Sequence, residues 1–266
     1  MGVPRRVRGW RVQLTIVPCI VAAVYAAASV LAAPPVPFGH GERLVYSISW
    51  FNIVGGTASL DVEEREHEGT PVYRVLSVAK SNAFISLFFP VEDRIESLID
   101  RETLASRRLD VRQREGKRKR DRVTEFDQVN HTATVFKNGE RKVYEVPPGV
   151  QDSLSVLYYF RSLPKIEVGQ TVMVDVHESN KNWRLAIEGL NREEVNTGAG
   201  EFMTIRTKAK VEFEGVFLDR GDVFVWFTDD ERRLPVRMES KITIGRITAK
   251  LIEYRPPAPV TEVRVP

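Results

Sequence analysis

From Gly41 onward, apolar residues return at every second position. Leu44, Tyr46, Ile48 and Trp50 alternate with Arg43, Val45, Ser47 and Ser49, and Ala58, Leu60 and Val62 continue the pattern beyond Val54-Gly55-Gly56, which reads as the intervening turn. The cleanest run sets Met203, Ile205, Thr207, Ala209, Val211 and Phe213 against Thr204, Arg206, Lys208, Lys210, Glu212 and Glu214. Trp183, Leu185 and Ile187 repeat it, as do Val236, Met238 and Ile242 with Arg237, Glu239 and Lys241 facing away. A period of two is that of a half-buried antiparallel strand. Asn138-Gly139 is a two-residue hairpin signal, and Glu115-Gly116, Gly198-Ala199-Gly200 and Gly245-Arg246 are further turns. The expected fold is mainly β: a strongly curved antiparallel sheet or barrel of ten or more strands with one or two short helices. A flat open sheet of that size would leave edges and one apolar face in water.

Two segments break the period. Asp152 reads as the N-cap of a helix whose Leu154, Leu157, Tyr158 and Arg161 share one face, placed to plug or flank the sheet. Residues 81–89 read as a short helix ended by Pro90 and serving as a lid. Residues 34–40 are a Pro-rich lead-in, 41–255 a single β-rich domain, and 256–266 a flexible C-terminal tail.

Charge changes the picture at the N-terminus. The chain holds 39 Lys and Arg against 36 Asp and Glu. Residues 1–33 contain Arg5, Arg6, Arg8 and Arg11 and no acid, so without them 35 basic residues face 36 acidic ones. A globally basic nucleic-acid binder is not supported, and no nucleic-acid partner is expected. A cationic start, the largely apolar run 12–31 and Val30-Leu31-Ala32 before Ala33-Pro34 read as a Sec-type signal peptide over 1–33, with export to the periplasm. The alternative is an uncleaved helix anchoring the chain to the inner membrane. The single Cys19 falls in this leader, so a cleaved chain has no thiol for disulfides, nucleophilic catalysis or metal binding.

The candidate chemistry is sparse. Arg112, Arg114, Lys117, Arg118, Lys119 and Arg120 crowd one hairpin and read either as a contact to anionic lipid headgroups or another acidic surface, or as charges guarding a sheet edge. Trp50, Phe84, Phe88, Phe89 and Trp226 are the candidate ligand-binding aromatics, lining a cavity for an acyl chain or a partner's apolar groups; an ordinary aromatic core is the other reading. Asp229-Asp230-Glu231 before Arg232-Arg233 is an acidic turn with local ion pairs; a hydrolase using Asp229, Asp230 or Asp152 would need two carboxylates converging in a cleft. The four histidines, His40, His67, His131 and His177, have no metal-ligand spacing. No metal, cofactor or catalytic set is expected.

The order of several weak motifs is more specific than any one of them. Gly41-Glu42-Arg43-Leu44-Val45-Tyr46 with Gly56-Thr57-Ala58, the segment from Asp152 to Arg161, Gly200-Glu201-Phe202, and Val225-Trp226-Phe227-Thr228-Asp229-Asp230 through Arg233-Leu234-Pro235-Val236, with Ser240-Lys241 and Ile244-Gly245, together resemble exported bacterial proteins grouped as Domain of Unknown Function 3108, over about residues 41–254. The resemblance implies an envelope location and a β-rich fold, and supplies no catalytic residues. The late Trp, acidic turn and Pro-Val order is also loosely similar to periplasmic lipoprotein-carrier proteins, whose curved sheets hold acyl chains. The expected function is a non-enzymatic envelope binder or carrier of a lipid or other hydrophobic molecule, in possible contact with a membrane surface. The alternative is an envelope protein–protein interaction or scaffolding module.

Overall fold

The computed structural model describes residues 36–213, 216–241 and 245–259; side chains within 212–222 lie outside that description. The leader with Cys19, Glu214, Ile242, Ile244 and the end of the tail therefore fall outside the described residues. Fourteen strands form one antiparallel sheet. The first half is β1 (Arg43–Trp50), β2 (Ile53–His67), β3 (Thr70–Ser81), helix α1 (Ala83–Ser86), β4 (Glu92–Asp100), β5 (Ser106–Glu115), β6 (Arg118–Asp127), β7 (Thr132–Lys137) and β8 (Glu140–Glu145). After helix α2 (Ser155–Ser162) come β9 (Thr171–Glu178), β10 (Lys181–Thr197), β11 (Gly200–Phe213), β12 (Val216–Thr228), β13 (Pro235–Lys241) and β14 (Arg246–Arg255). Each strand pairs with its chain neighbours, except that β1 pairs with β14 in the middle and β8 and β9 form the two edges.

The reversals explain the meander. Phe51-Asn52, Glu68-Gly69, Asn138-Gly139 and Ser179-Asn180 each place two successive residues at φ between 47° and 80°, the conformation of the tight turn whose twist matches paired strands. The turn expected at Val54-Gly55-Gly56 falls at Phe51-Asn52 instead. Gly56 belongs to β2, where a Cβ would stand 2.2 Å from the Lys80 carbonyl oxygen; this glycine serves a close approach of backbones, not a reversal. Bulges at Ile48/Ser49, Leu98/Ile99 and Gly189/Asn191 curl the sheet.

The sheet is curved but not closed by a ladder. Its seam is filled by the segment before α2. Gln151 donates its N–H to the Asp175 carbonyl (2.9 Å), and its own carbonyl accepts from the His177 N–H (2.8 Å). On the other side the Ser106 N–H reaches the Val150 carbonyl (3.3 Å). Side chains complete the latch. Asn182 donates to the Glu145 carbonyl (2.8 Å), Arg122 binds both oxygens of Glu178 (2.8 and 2.9 Å), and the His177 ring meets Phe126 and Tyr144.

Helix α2 enters from the end of the sheet where β8 stops and β9 starts, and plugs it. The helix begins at Ser155, not at the residue after Asp152. Asp152 lies two residues before the N-cap Leu154, but its Oδ1 still accepts the N–H groups of Leu154 and Ser155 (2.7 Å each). Its Oδ2 accepts hydroxyls from Ser97 (2.6 Å) and Ser106. Burial pushes this carboxyl above the ordinary range against the pull of those hydrogen bonds. Farther along, Arg161 and Glu42 are fully buried and pair through two parallel bonds of 2.8 Å. Arg161 also donates to the carbonyls of Pro37 (3.2 Å) and Arg232 (3.3 Å), and its guanidinium lies over the Phe38 and Tyr158 rings. Residues 256–259 run beside the lead-in, with the Ala258 N–H on the His40 carbonyl (2.8 Å).

The alternation in β11 inverts near its start. Met203 is exposed and Thr204 buried, the reverse of the expected faces. Past the bulge at Gly189/Asn191, the β10–β11 hairpin folds over the outer surface of the last strands, with Gly198 against Ile252 and the Trp226 indole N–H on the Glu193 carboxylate. Val195 and Trp226 are buried, and with Phe202 packed against them they join the main core.

Two measurements check this architecture. Glu42→Gln leaves a buried guanidinium without its anion and should cost about 3–5 kcal/mol of unfolding free energy in chemical denaturation, while Glu42→Met/Arg161→Met should recover most of the loss. Burial holds the His177 imidazole below its ordinary value despite the Asn182 bond and the nearby Glu178 charge. The unfolded chain therefore binds this proton first, near pH 6.5. The stabilisation is complete above that pH and is lost as pH falls below it. Thermal melts between pH 8 and 5 should show this decline, and His177→Gln should flatten it.

Candidate functional site

The inward positions differ in size along the sheet. Toward the plugged end they carry Leu44, Leu60, Val62, Val75, Ile99 and Leu251, which pack solidly against Tyr158 and Phe38. Beyond α2 the inward positions shrink to Ala58, Ser77, Thr207, Ala209 and Ala249, and a cavity of about 420 Å³ remains. Its floor is Leu154, Val156, Leu157 and Phe160 of the helix and the residue before it; its walls include Ile48, Leu185, Ile187, Val225, Phe227 and Met238. Two wall hydroxyls are already committed: Tyr46 donates to the Pro235 carbonyl (2.9 Å) and Thr207 to the Val225 carbonyl (3.0 Å). The wall is thus mainly hydrocarbon, of a volume suited to a small ligand.

A larger groove of about 670 Å³ lies on the outer face, lined by Ser47, Ser49, Arg237, Glu239, Arg246 and Lys250. Glu239 takes up both Arg237 and Arg246 there. Arg237, Glu239 and Arg246 thus satisfy one another within the protein, so the groove makes a weaker site than the apolar interior.

The candidate ligand-binding aromatics do not meet in the cavity. Trp50, Phe84, Phe88 and Phe89 are exposed around the β1–β2 turn and α1, and no residue of the short helix lines the cavity. Trp226 is buried on the outer face, with the guanidinium groups of Arg206 and Arg237 at 5.2 and 4.6 Å from its ring centroid. Strand alternation is the reason: with Phe227 turned inward against Phe160, its neighbour Trp226 must turn outward. The residues that shape the cavity were legible as inward, but their signal was smallness at Ala58, Ala209 and Ala249, not aromaticity.

The basic hairpin divides into paired and unpaired charges. Arg112 bonds Asp110 (3.3 Å), Arg114 binds both oxygens of Asp121 (2.6 and 2.9 Å), and Arg120 donates to Gln113 (3.2 Å). Lys117, Arg118 and Lys119 at the tip are exposed and make no salt bridge with any described residue.

The acidic residues do structural work. Asp230 accepts from the Thr228 hydroxyl (2.6 Å), the Arg232 N–H (3.0 Å) and the Arg232 guanidinium, tying the turn between β12 and β13. Asp229 pairs with Lys165 and with Arg192 (2.9 Å). Burial alone would raise both carboxyls, and their cationic partners outweigh it and hold them below the usual range. Among the described residues no group of three or more His, Cys, Asp or Glu stands together as a metal site.

A family model described as a protein of unknown function, DUF3108, matches residues 44–252. No curated protein matches the chain. Among solved structures, a β-barrel-like protein of the domain of unknown function DUF1849 from Brucella abortus superposes with a TM-score of 0.57 at 9% identity, covering 84% of this chain and all of that one. A protein described as exported, with a YmcC-like fold, from Bacteroides fragilis gives a TM-score of 0.37 at 10% identity over 83% of this chain and 98% of that one. A protein described as a lipoprotein from Parabacteroides distasonis gives the same values. The first of these likenesses places the sheet among barrel-like folds.

The void has a direct consequence for stability. Ala209→Leu should be neutral or stabilise by up to about 1 kcal/mol, because the added methyl groups enter empty apolar space. Leu44→Ala, in the solid part of the interior, should cost about 2–5 kcal/mol. Chemical denaturation of the two variants reads the difference.

Proposed function

The chain belongs to the DUF3108 family, and from the apolar void within its sheet we propose that it is a non-enzymatic cell-envelope protein that holds a lipid or other hydrophobic molecule. The observation that carries this reading is the cavity of about 420 Å³ bounded by Ile48, Leu157, Leu185, Val225 and Met238. Burial of an alkyl chain there would gain about 0.8 kcal/mol per methylene removed from water. The helix that floors the cavity is fixed by the Glu42–Arg161 pair and by Asp152, so the space does not close by collapse onto the opposite wall. Export rests on the leader pattern of residues 1–33: four arginines, an apolar run and small residues before Pro34.

Native mass spectrometry of the protein purified gently from its own envelope, followed by organic extraction, tests the reading. A co-purifying hydrophobic molecule near one per chain is the expected result, and Ala209→Leu/Ala249→Leu should lose it while remaining folded. A clean apo mass for the unaltered chain would overturn it.

A further inference from the structure

Because neighbouring strands run antiparallel, the β1–β2 turn, segment 82–91, the β5–β6 turn, the β7–β8 turn and the β13–β14 connection all lie at the end of the sheet opposite the plugged one. This end collects the exposed apolar surface. Eight of the sixteen large apolar side chains exposed among the described residues fall in 50–54 and 84–89. Leu87 and Phe88 are 78% and 77% exposed, Phe84 64% and Phe51 60%. Monomeric proteins rarely display such a cluster without a use for it.

Three pieces join into one surface. Asn82 donates its side-chain amide to the Val54 carbonyl (2.7 Å) and its N–H to the Gly55 carbonyl (2.8 Å), tying segment 82–91 to the β1–β2 hairpin. The Gly116 N–H donates to the Pro90 carbonyl (2.8 Å). The Phe89 ring lies on Gly116 so closely that a Cβ there would stand 2.8 Å away. The aromatic segment therefore abuts the tip bearing Lys117, Arg118 and Lys119. Arg141, Lys241 and Arg246 stand at the same end, beside Glu92, Glu115 and Glu140, whereas the turns at the plugged end carry Glu66, Glu68, Glu102, Asp127, Glu201 and the Asp229-Asp230-Glu231 run beside Arg101, Arg232 and Arg233.

We infer that this rim is a membrane-docking surface that seats Phe84, Leu87, Phe88 and Phe51 in the interface of a bilayer while Lys117, Arg118 and Lys119 contact anionic phospholipid headgroups. Neither element suffices alone. Apolar burial at the interface and electrostatic attraction to anionic lipid act together in peripheral membrane binding, and aromatic rings favour the headgroup level. A basic tip beside exposed aromatics supplies both. The rim does not depend on what the cavity holds.

Cosedimentation with phosphatidylcholine vesicles, with or without an equal part of phosphatidylglycerol, tests the inference on the full chain. Binding should be stronger with phosphatidylglycerol and weaken as salt shortens the electrostatic range. Lys117→Gln/Lys119→Gln should lower affinity for the anionic vesicles about tenfold or more. Leu87→Asn/Phe88→Asn should lower it for both compositions. Both pairs are exposed, so unchanged melting temperatures separate a binding defect from unfolding. Glu68→Lys at the opposite end, and Ala209→Leu/Ala249→Leu in the cavity, should bind vesicles as the unaltered chain does. Equal binding by the rim variants and the unaltered chain would overturn the inference, as would failure of the unaltered chain to bind anionic vesicles.

Discussion

The buried pair of Glu42 and Arg161 is the constraint around which the rest is arranged. A guanidinium removed from water requires a matched anion and partners for its remaining donors. Here it draws on the lead-in at Pro37, the residue just before β1, the helix and the turn after β12. Three parts distant in sequence, residues 37–42, the helix and the turn after β12, are thus held at one point. The aromatic rings of Phe38 and Tyr158 flank it, so the charge sits in a cage that neither a lysine's point charge nor an apolar residue would organise in the same way.

That knot divides the interior. On one side of α2 the inward residues are large and interlocked; on the other they are small, and space is left. The helix is rigid where it faces the core and supplies only hydrocarbon where it faces the cavity. Asp152 fixes the opposite end of the same helix by accepting from two backbone amides and two serines. A buried carboxylate of this kind could be mistaken for chemistry. Its partners instead show an anchor, much as the arginines around Asp229 and Asp230 show a turn.

The sheet was legible because alternation is a strong signal wherever one face is buried: Leu44, Tyr46, Ile48 and Ile205, Thr207, Ala209 all point inward as their spacing requires. The two breaks in period became the two helices. The reading went astray where local pattern is not decisive. Glycines at 55 and 56 look like a reversal, yet the left-handed conformations fall on Phe51 and Asn52, of which only the asparagine is a usual turn residue. Met203 and Thr204 exchanged exposure because their own hairpin folds over the outer face of later strands, which β11 cannot announce from its own residues. A cavity was expected, but its lining was not, for a related reason: none of the five aromatics named for it borders the space. Aromatic residues draw attention, but empty space is made by what is missing, and only the register of four separate strands brings Ala58, Ser77, Thr207, Ala209 and Ala249 around one volume.

The pairing of β1 with β14 also sets an order of assembly. The strands from β1 to β8 and those from β9 to β14 are each local meanders, formed from neighbours in sequence. The ladder that unites them joins Arg43 to Arg255 and Trp50 to Ile247, and such distant contacts form slowly because a long loop must close first. The central seam of the molecule therefore awaits its last strand. The partners of Arg161 all lie between residues 37 and 232, but the two meanders have no ladder between them until residue 255 has been synthesised. Removal of β14 would therefore leave two meanders with no ladder between them.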